Sequence, residues 1–373
     1  MKKKILCLLI AIVMVLSMAA CGSQPASEGA NANAAPASTS GKTYTWVMQS
    51  HAGTTYENWA LYEEFVENVK AATGGRLTIE LYQSGSVCEQ GDMVTSCQDG
   101  ILDCMAYSMG NGVGVFGDIA YLMGASGSPA GLNPDVFMAW SSYEGEELMA
   151  KVIDKYNMVL AGVPFCTFAE CFCMSNTVMD TLDSFKGITF RTNGMWATML
   201  TEIGANVVTI SGGDIYSSFE KGVMDAFEYQ GPIGNYNAGF YEICKYAALP
   251  GIHSTLAADL FIVNPDSWNE IGPELQAIVK ACINDMASKS LGYAAVKNVE
   301  ALDMLEEKGV EYYYLSDEFM EKIAQLAADI HEKNCAADET YAEIFNSQKE
   351  FYYNWNKAFT LQPAGFSVYD IIG

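Results

Sequence analysis

Arginine is the scarcest charged residue in this chain: Arg76 and Arg191 are its two examples. Arg191 closes the run Ile188-Thr189-Phe190 and is followed by Thr192-Asn193-Gly194. A guanidinium stays charged and grips a carboxylate through two parallel hydrogen bonds, which an ammonium cannot do. Lysine fills the other basic positions, so Arg191 points to recognition of a carboxylate, with Asn193 beside it as a polar contact. A surface arginine on a strand edge is the plainer alternative. Ser211-Gly212-Gly213-Asp214 opens a helix whose free N–H groups favour an anion, unless Ser211 or Asp214 simply caps it.

Carboxylates follow. Glu228, between Phe227 and Tyr229 at the end of a short strand, either binds a cation that bridges to an anionic ligand or is a solvated strand end. Glu170 lies inside the apolar run Ala169–Ser175, where an unpaired carboxylate is costly. It meets a cation or an amine, or it faces solvent on the polar side of the run. His51 and His253 sit in loops beside strands and line a cleft or occupy plain loop positions. Tyr107, near the end of the expected strand 101–108, completes the candidate ligand contacts. His331, on a charged late helix, is expected to face solvent.

No catalytic set emerges from these residues. The chain has three scattered histidines and neither H-E-x-x-H nor G-x-S-x-G. The glycine-rich runs 110–117 and 124–131 lack the G-x-x-x-x-G-K-[ST] phosphate loop and are expected as flexible surface loops near a cleft. The formal charge of -25 opposes nucleic acid and anionic membrane surfaces as partners. An anionic ligand must therefore be held by local positive groups against the overall field.

The elements that position these residues alternate. Strands are expected at 44–49, 76–82, 101–108, 158–165, 169–175, 188–192, 207–210, 224–229 and 260–264, with a late one at 310–315. Helices are expected between them at 58–72, 90–99, 136–156 with an interruption at Gly145, 194–203 and 213–221. Four more follow at 268–279, 283–308, 317–333 and 337–359. At 373 residues, half of them hydrophobic, the chain has the length and core for two α/β domains.

The N-terminus reads as an address. Lys2 to Lys4, the apolar run Ile5–Leu16 and Ser17-Met18-Ala19-Ala20-Cys21 resemble a bacterial lipoprotein signal, cleaved before Cys21 with lipid on its thiol. Residues 21–42 are small and polar, a composition expected to form a flexible tether. Nine further cysteines show no C-x-x-C spacing and are expected as small, mostly buried residues rather than a metal site.

The central stretch carries a resemblance. K-G-I-T-F-R-T-N-G at 186–194, G-A-N-V-V at 204–208, the run G-G-D-I-Y-S-S-F-E-K-G-V-M-D-A-F-E-Y at 212–229 and Gly231-Pro232 resemble the solute-binding receptors of tripartite ATP-independent periplasmic (TRAP) transporters. T-G-G-R-L-T-I-E-L-Y at 73–82 is similar too, and the resemblance covers about 44–359. It implies a two-domain periplasmic-binding-protein fold of the α/β class, with a ligand cleft between the domains and a long hinge-spanning helix, 283–308. The implied domains are 43–168 plus 253–290 and 169–252 plus 291–340, with a C-terminal helix and tail at 341–373.

In that family Arg191 grips the ligand carboxylate. In its 2-oxoacid-binding branch a cation, Na+ or Ca2+, is held at the positions of Glu228 and Tyr229. A further acidic ligand of the branch falls near Ser254, where this chain has no carboxylate, and a polar one near Ala169 or Glu170. Glu170 either restores the lost charge or meets an amine on the substrate. The aromatic C-terminal helix resembles one that some members exchange to form homodimers; packing on its own subunit is the alternative. The expectation is therefore an extracytoplasmic, lipid-anchored receptor, not an enzyme, that delivers a small 2-oxo or 2-hydroxy monocarboxylate to TRAP permease subunits. A sensory lipoprotein or an enzyme acting on a carboxylate are the alternatives.

Overall fold

The computed structural model describes residues 41–361; the expected signal and Cys21 lie outside this range, as does the tail beyond Leu361. The first sheet has the order β2-β1-β3-β10-β4. It comprises β1 (Tyr44–Ser50), β2 (Leu77–Tyr82), β3 (Cys104–Ser108), β4 (Val159–Cys166) and β10 (Ala258–Val263). β1 pairs in parallel with β2 and β3, and β10 lies antiparallel between β3 and β4. All six residues of β10 are buried, as expected for a central strand covered on both faces.

The second sheet has the order β11-β9-β5-β8-β6-β7. Its strands are β5 (Cys173–Ser175), β6 (Thr189–Arg191), β7 (Asn206–Val208), β8 (Ala226–Phe227), β9 (Tyr246–Leu249) and β11 (Glu311–Tyr314). β6 runs parallel to both β7 and β8, whereas β5 is antiparallel to β8 and β9. The chain leaves the first sheet after Cys166 and returns to it at Ala258.

Helix α1 (Trp59–Ala72) buries Leu61, Tyr62, Phe65, Val66 and Val69, one face at helical spacing. Its Phe65 ring packs edge-on against Phe165 and Phe261 of the first sheet. Helix α2 (Pro134–Ser141) and helix α3 (Glu144–Asp154) replace the interrupted helix expected at 136–156, with the break before Gly145 rather than at it. In the second unit, α4 (Gly194–Glu202), α5 (Ile215–Glu220) and α6 (Pro232–Asn237) alternate with short strands.

Helix α7 runs from Pro265 to Glu307 and differs from its sequence reading. The expected gap at 280–282 is helical; the discontinuity is at Gly272, with φ 73° and ψ 168°, immediately before Pro273. Pro273 lacks the N–H that a continuous helix needs and suits a helix start, so the chain breaks there. The longer piece packs on β4 and α1 at one end and on α6 further along.

Helices α8 (Asp317–Ala337) and α9 (Glu339–Phe359) close the described chain. Here one expectation is corrected: His331 is buried, its Nδ1 2.6 Å from the Tyr341 hydroxyl and its ring stacked on Phe345. α9 folds back over the face that looked solvated, and burial lowers the His331 pKa to about 4. Run 110–117 is likewise not loose: it forms two short helical turns, Met109–Gly112 and Val113–Phe116, with Phe116 buried. Among the nine cysteines described, six are buried, and burial pushes the Cys97, Cys171 and Cys173 thiols up to about 12. No helix among the described residues is long and apolar enough to cross a membrane.

Candidate ligand-binding site

A polar cavity of about 330 Å³ is lined from both sheets. Arg191 enters it from the end of β6, only 7% exposed. The parallel register that pairs Arg191 with Phe227 brings Glu228 alongside it. Arg191 Nε donates to the Ile210 carbonyl at 2.9 Å, and Nη1 donates to the Glu228 carbonyl at 2.7 Å and to Glu228 Oε1 at 3.1 Å. These bonds fix the plane of the guanidinium. Among the described residues Nη2 donates no hydrogen bond, so that edge of the fork is free to take a ligand oxygen.

Glu170 is buried in the same cavity. The expected strand 169–175 is paired only at Cys173–Ser175, because residues 167–171 form the crossing between the sheets. There the backbone is held by single bonds, Glu170 N to the Ser254 carbonyl at 3.1 Å and Cys171 N to the Gln230 carbonyl at 3.2 Å. Glu170 Oε2 lies 3.2 Å from His253 Nε2. Burial pushes the Glu170 carboxyl up to about 7, against the opposing pull of Ser254, Glu228 and Arg191. Glu228 is also raised by burial, with Arg191 opposing. Burial lowers His253 to about 4, so the Glu170–His253 contact is a neutral imidazole beside a carboxyl that keeps its proton into the neutral range. One ligand atom from each of Glu170, Glu228 and His253 falls within 4.8 Å of the others.

A second buried group lines the opposite wall. His51 Nε2 stands 3.0 Å from Asp259 Oδ1. Asp259 Oδ2 accepts from the Tyr62 hydroxyl at 2.6 Å and from Asn58 Nδ2 at 3.3 Å. Burial works to raise the Asp259 pKa, but His51 and these donors outweigh it and hold the carboxyl below its ordinary value. Asp259 is on β10, so an interior strand of the first sheet anchors His51 at the cavity edge.

The cavity thus brings together His51, Glu170, Arg191, Asn193, Glu228, Tyr229 and His253. Asn193 is at the exposed rim. Tyr229 is half-buried, its ring edge-on to Phe240 and packed against Gly212. Tyr107 is not among the lining residues: it is buried in the apolar core with Phe116, and alternation along β3 gives the cavity Ser108 instead. At the helix start expected to favour an anion, neither Ser211 nor Asp214 caps α5 through its side chain; Gly212 lines the cavity and packs closely against the Tyr229 ring.

Sequence reading missed Glu57, Asn58, Tyr62 and Asp259. Asp259 interrupts the apolar run Leu256–Val263 as Glu170 interrupts its own, and the same cost of burial marks it. Glu57 follows β1, a parallel strand, at the carboxyl end where α/β folds gather ligands.

A polar cleft between two α/β units, gripped by a fixed arginine, defines a solute-binding receptor. The chain belongs to the family of bacterial extracellular solute-binding proteins, family 7, which it matches over residues 48–338. These are extracytoplasmic transport receptors rather than enzymes. The chain is 25% identical over 312 residues to a monocarboxylate 2-oxoacid-binding periplasmic protein of Nostoc sp., covering 82% of this chain and 84% of that one. Its fold is shared with a TRAP transporter solute-binding protein of Bordetella bronchiseptica, crystallised with calcium and picolinate. That comparison has TM-score 0.77 and 21% identity, covering 89% of this chain and 98% of the other. A TRAP solute-binding protein of Colwellia psychrerythraea, with bound calcium and pyruvate, gives TM-score 0.77 and 24% identity over 86% of this chain and 98% of that one.

Proposed function

We propose that the chain captures a small organic acid in the cavity around Arg191 and delivers it to the membrane subunits of a TRAP permease. The observation that carries this is the guanidinium of Arg191, held rigid by Ile210 and Glu228 with Nη2 left open toward the cavity. A fixed guanidinium loses little freedom on meeting a carboxylate, and the cavity of about 330 Å³ suits a ligand of a few carbons. Pyruvate and picolinate, bound by proteins of the same fold, are acids of this size class.

A cation belongs to the reading. Glu170 and Glu228 supply the oxygen donors that Na+ and Ca2+ prefer, and neutral His253 adds a nitrogen within the same trio. Bound there, the ion bridges the acid's oxygens to carboxylates that otherwise repel them. Tyr229 stands beside this trio as a weaker candidate. The chain is further proposed to be tethered by lipid on Cys21 and to pair with a second copy through α9, whose Tyr353 and Phe359 are exposed.

Isothermal titration with pyruvate, lactate and other small 2-oxo and 2-hydroxy acids, each with and without Ca2+ or Na+, tests the central claim. Binding of none of them, or binding undiminished in Arg191→Ala, would sink it. Elemental analysis of dialysed protein tests the cation, and intact mass and sedimentation test the anchor and the dimer.

A further inference from the structure

Glu57 lines the cavity and is left out of every interaction described above. It stands in the turn between β1 and α1, 7% exposed. Its Oε2 is enclosed and has no hydrogen-bond partner among the described residues. Neither Arg191, which bonds Glu228, nor His51, which stands against Asp259, makes an ion pair with Glu57. Burial, and then the carboxyls of Glu170 and Asp259, push the Glu57 carboxyl up to about 8; its other titratable neighbours are Tyr56, Tyr229, Cys166 and Cys171, none of them a cation. A buried carboxyl without donors is rare in a native protein, and such groups find their partner in something the fold is built to receive.

The cavity therefore holds three carboxyl groups, Glu57, Glu170 and Glu228, against the single guanidinium of Arg191. A simple carboxylate brings acceptors alone and one more negative charge. It satisfies Arg191 but leaves Glu57 unpaired. An ammonium group brings three donors and a positive charge, which match a carboxylate.

We propose that Glu57 is a second ligand anchor, receiving an amino group from a ligand whose carboxylate lies on Arg191, so that the preferred solute is a small amino-bearing acid. This rests on the carboxylate reading of Arg191 and narrows the solute class. Glu170 of the cation trio is a neighbour of Glu57, so the titrations that test the proposal are run both with and without added Ca2+ or Na+.

Titration of the full chain with straight-chain acids of three to six carbons, each as amino, hydroxy and oxo forms, tests it. The amino group is placed in turn at each carbon from the second outward. At least one amino acid form is expected to bind about 10- to 100-fold more tightly than its hydroxy and oxo counterparts. In Glu57→Gln that preference is expected to collapse, the amino form losing at least about 10-fold more affinity than its hydroxy counterpart. Hydroxy or oxo acids that bind as well as every amino form overturn the proposal and leave the carboxylate reading standing. A preference that survives Glu57→Gln overturns it too, and makes a water molecule the partner of Glu57. If no acid of any form binds, the carboxylate reading itself fails, and this proposal fails with it. The wild-type comparison does not depend on how the variant folds.

Discussion

At the scale of single residues, the site is governed by what burial does to charge. Arg191 and Glu228 form a buried, hydrogen-bonded pair. Truncating one partner of such a pair leaves the other charged and unpaired, so Arg191→Ala is expected to cost about 3 to 5 kcal/mol in chemical unfolding. Arg191→Lys keeps a positive charge beside Glu228 but loses the fork. It should retain most of the stability while weakening acid binding by about 10- to 100-fold in titration. Equal losses of stability in the two variants would count against this division.

The carboxyls also set a pH dependence. Glu57 and Glu170 are raised by burial to about 8 and about 7 from an ordinary 4.5. The folded chain then binds more protons than the unfolded one. The stability they contribute is full below pH 4.5 and is lost as pH rises through 7 and 8. His253 and His331 are shifted the other way, to about 4 from 6.5, so their contribution is full above 6.5 and lost as pH falls through 4. Above pH 6.5 only the carboxyls among these groups change. The Tm of ligand-free, chelator-treated protein is therefore expected to fall between about pH 6.5 and 8.5, and less steeply in Glu57→Gln. A flat or rising profile in calorimetry contradicts this.

Legibility at this scale followed chemistry. Arg191 stood out because arginine is scarce, and Glu170 because a carboxylate in an apolar run needs a reason. Glu57 gave no such sign: Thr54-Thr55-Tyr56-Glu57-Asn58 is an ordinary polar loop, and its burial is a matter of tertiary packing that the local sequence does not mark. Tyr107 misled because strand alternation fixes which residues share a face but not which face meets the cavity.

At the scale of elements, two glycines do specific work. Gly272 holds φ 73° and ψ 168°, a conformation that residues with a Cβ avoid. Gly272→Ala is expected to destabilise by about 1 to 3 kcal/mol, measured by urea unfolding, with little change in solute affinity. Gly251 is required for close approach, since a Cβ there would lie 2.0 Å from the Glu170 carbonyl oxygen. Gly251→Ala must push the crossing segment that carries Glu170. It should cost about 1 to 3 kcal/mol and also weaken binding, although Gly251 is not among the residues lining the cavity. Unchanged affinity would show that the segment yields without moving Glu170. Helix and strand types were largely readable from periodicity, as in α1, β2 and β10. The crossing at 167–171 was not, because an apolar run has the same composition whether it pairs in a sheet or passes between two.

At the scale of the whole molecule, the cavity draws its walls from both sheets, so anything bound there stabilises the assembly as well as itself. Solute at 100 times its Kd should add about 2.7 kcal/mol to unfolding, read as a rise in Tm that grows with concentration. A true ligand that leaves Tm unchanged would place binding elsewhere. The α/β class was legible from the alternation of elements, and the expectation of two units from chain length and the resemblance; the order of strands was not, since pairing across some 90 residues leaves no local trace.

That order has a consequence for how the chain is made. β10 is the strand that joins β3 to β4, yet it is synthesised after every strand of the second sheet except β11. Until residue 263 has emerged, the first sheet lacks an interior member and its β3 and β4 edges have nothing to zip onto. A nascent chain of the first 168 residues thus cannot settle into its native unit, and long-range pairing of this kind is slow. The topology delays folding during synthesis, which suits a polypeptide that must cross a membrane before it becomes compact.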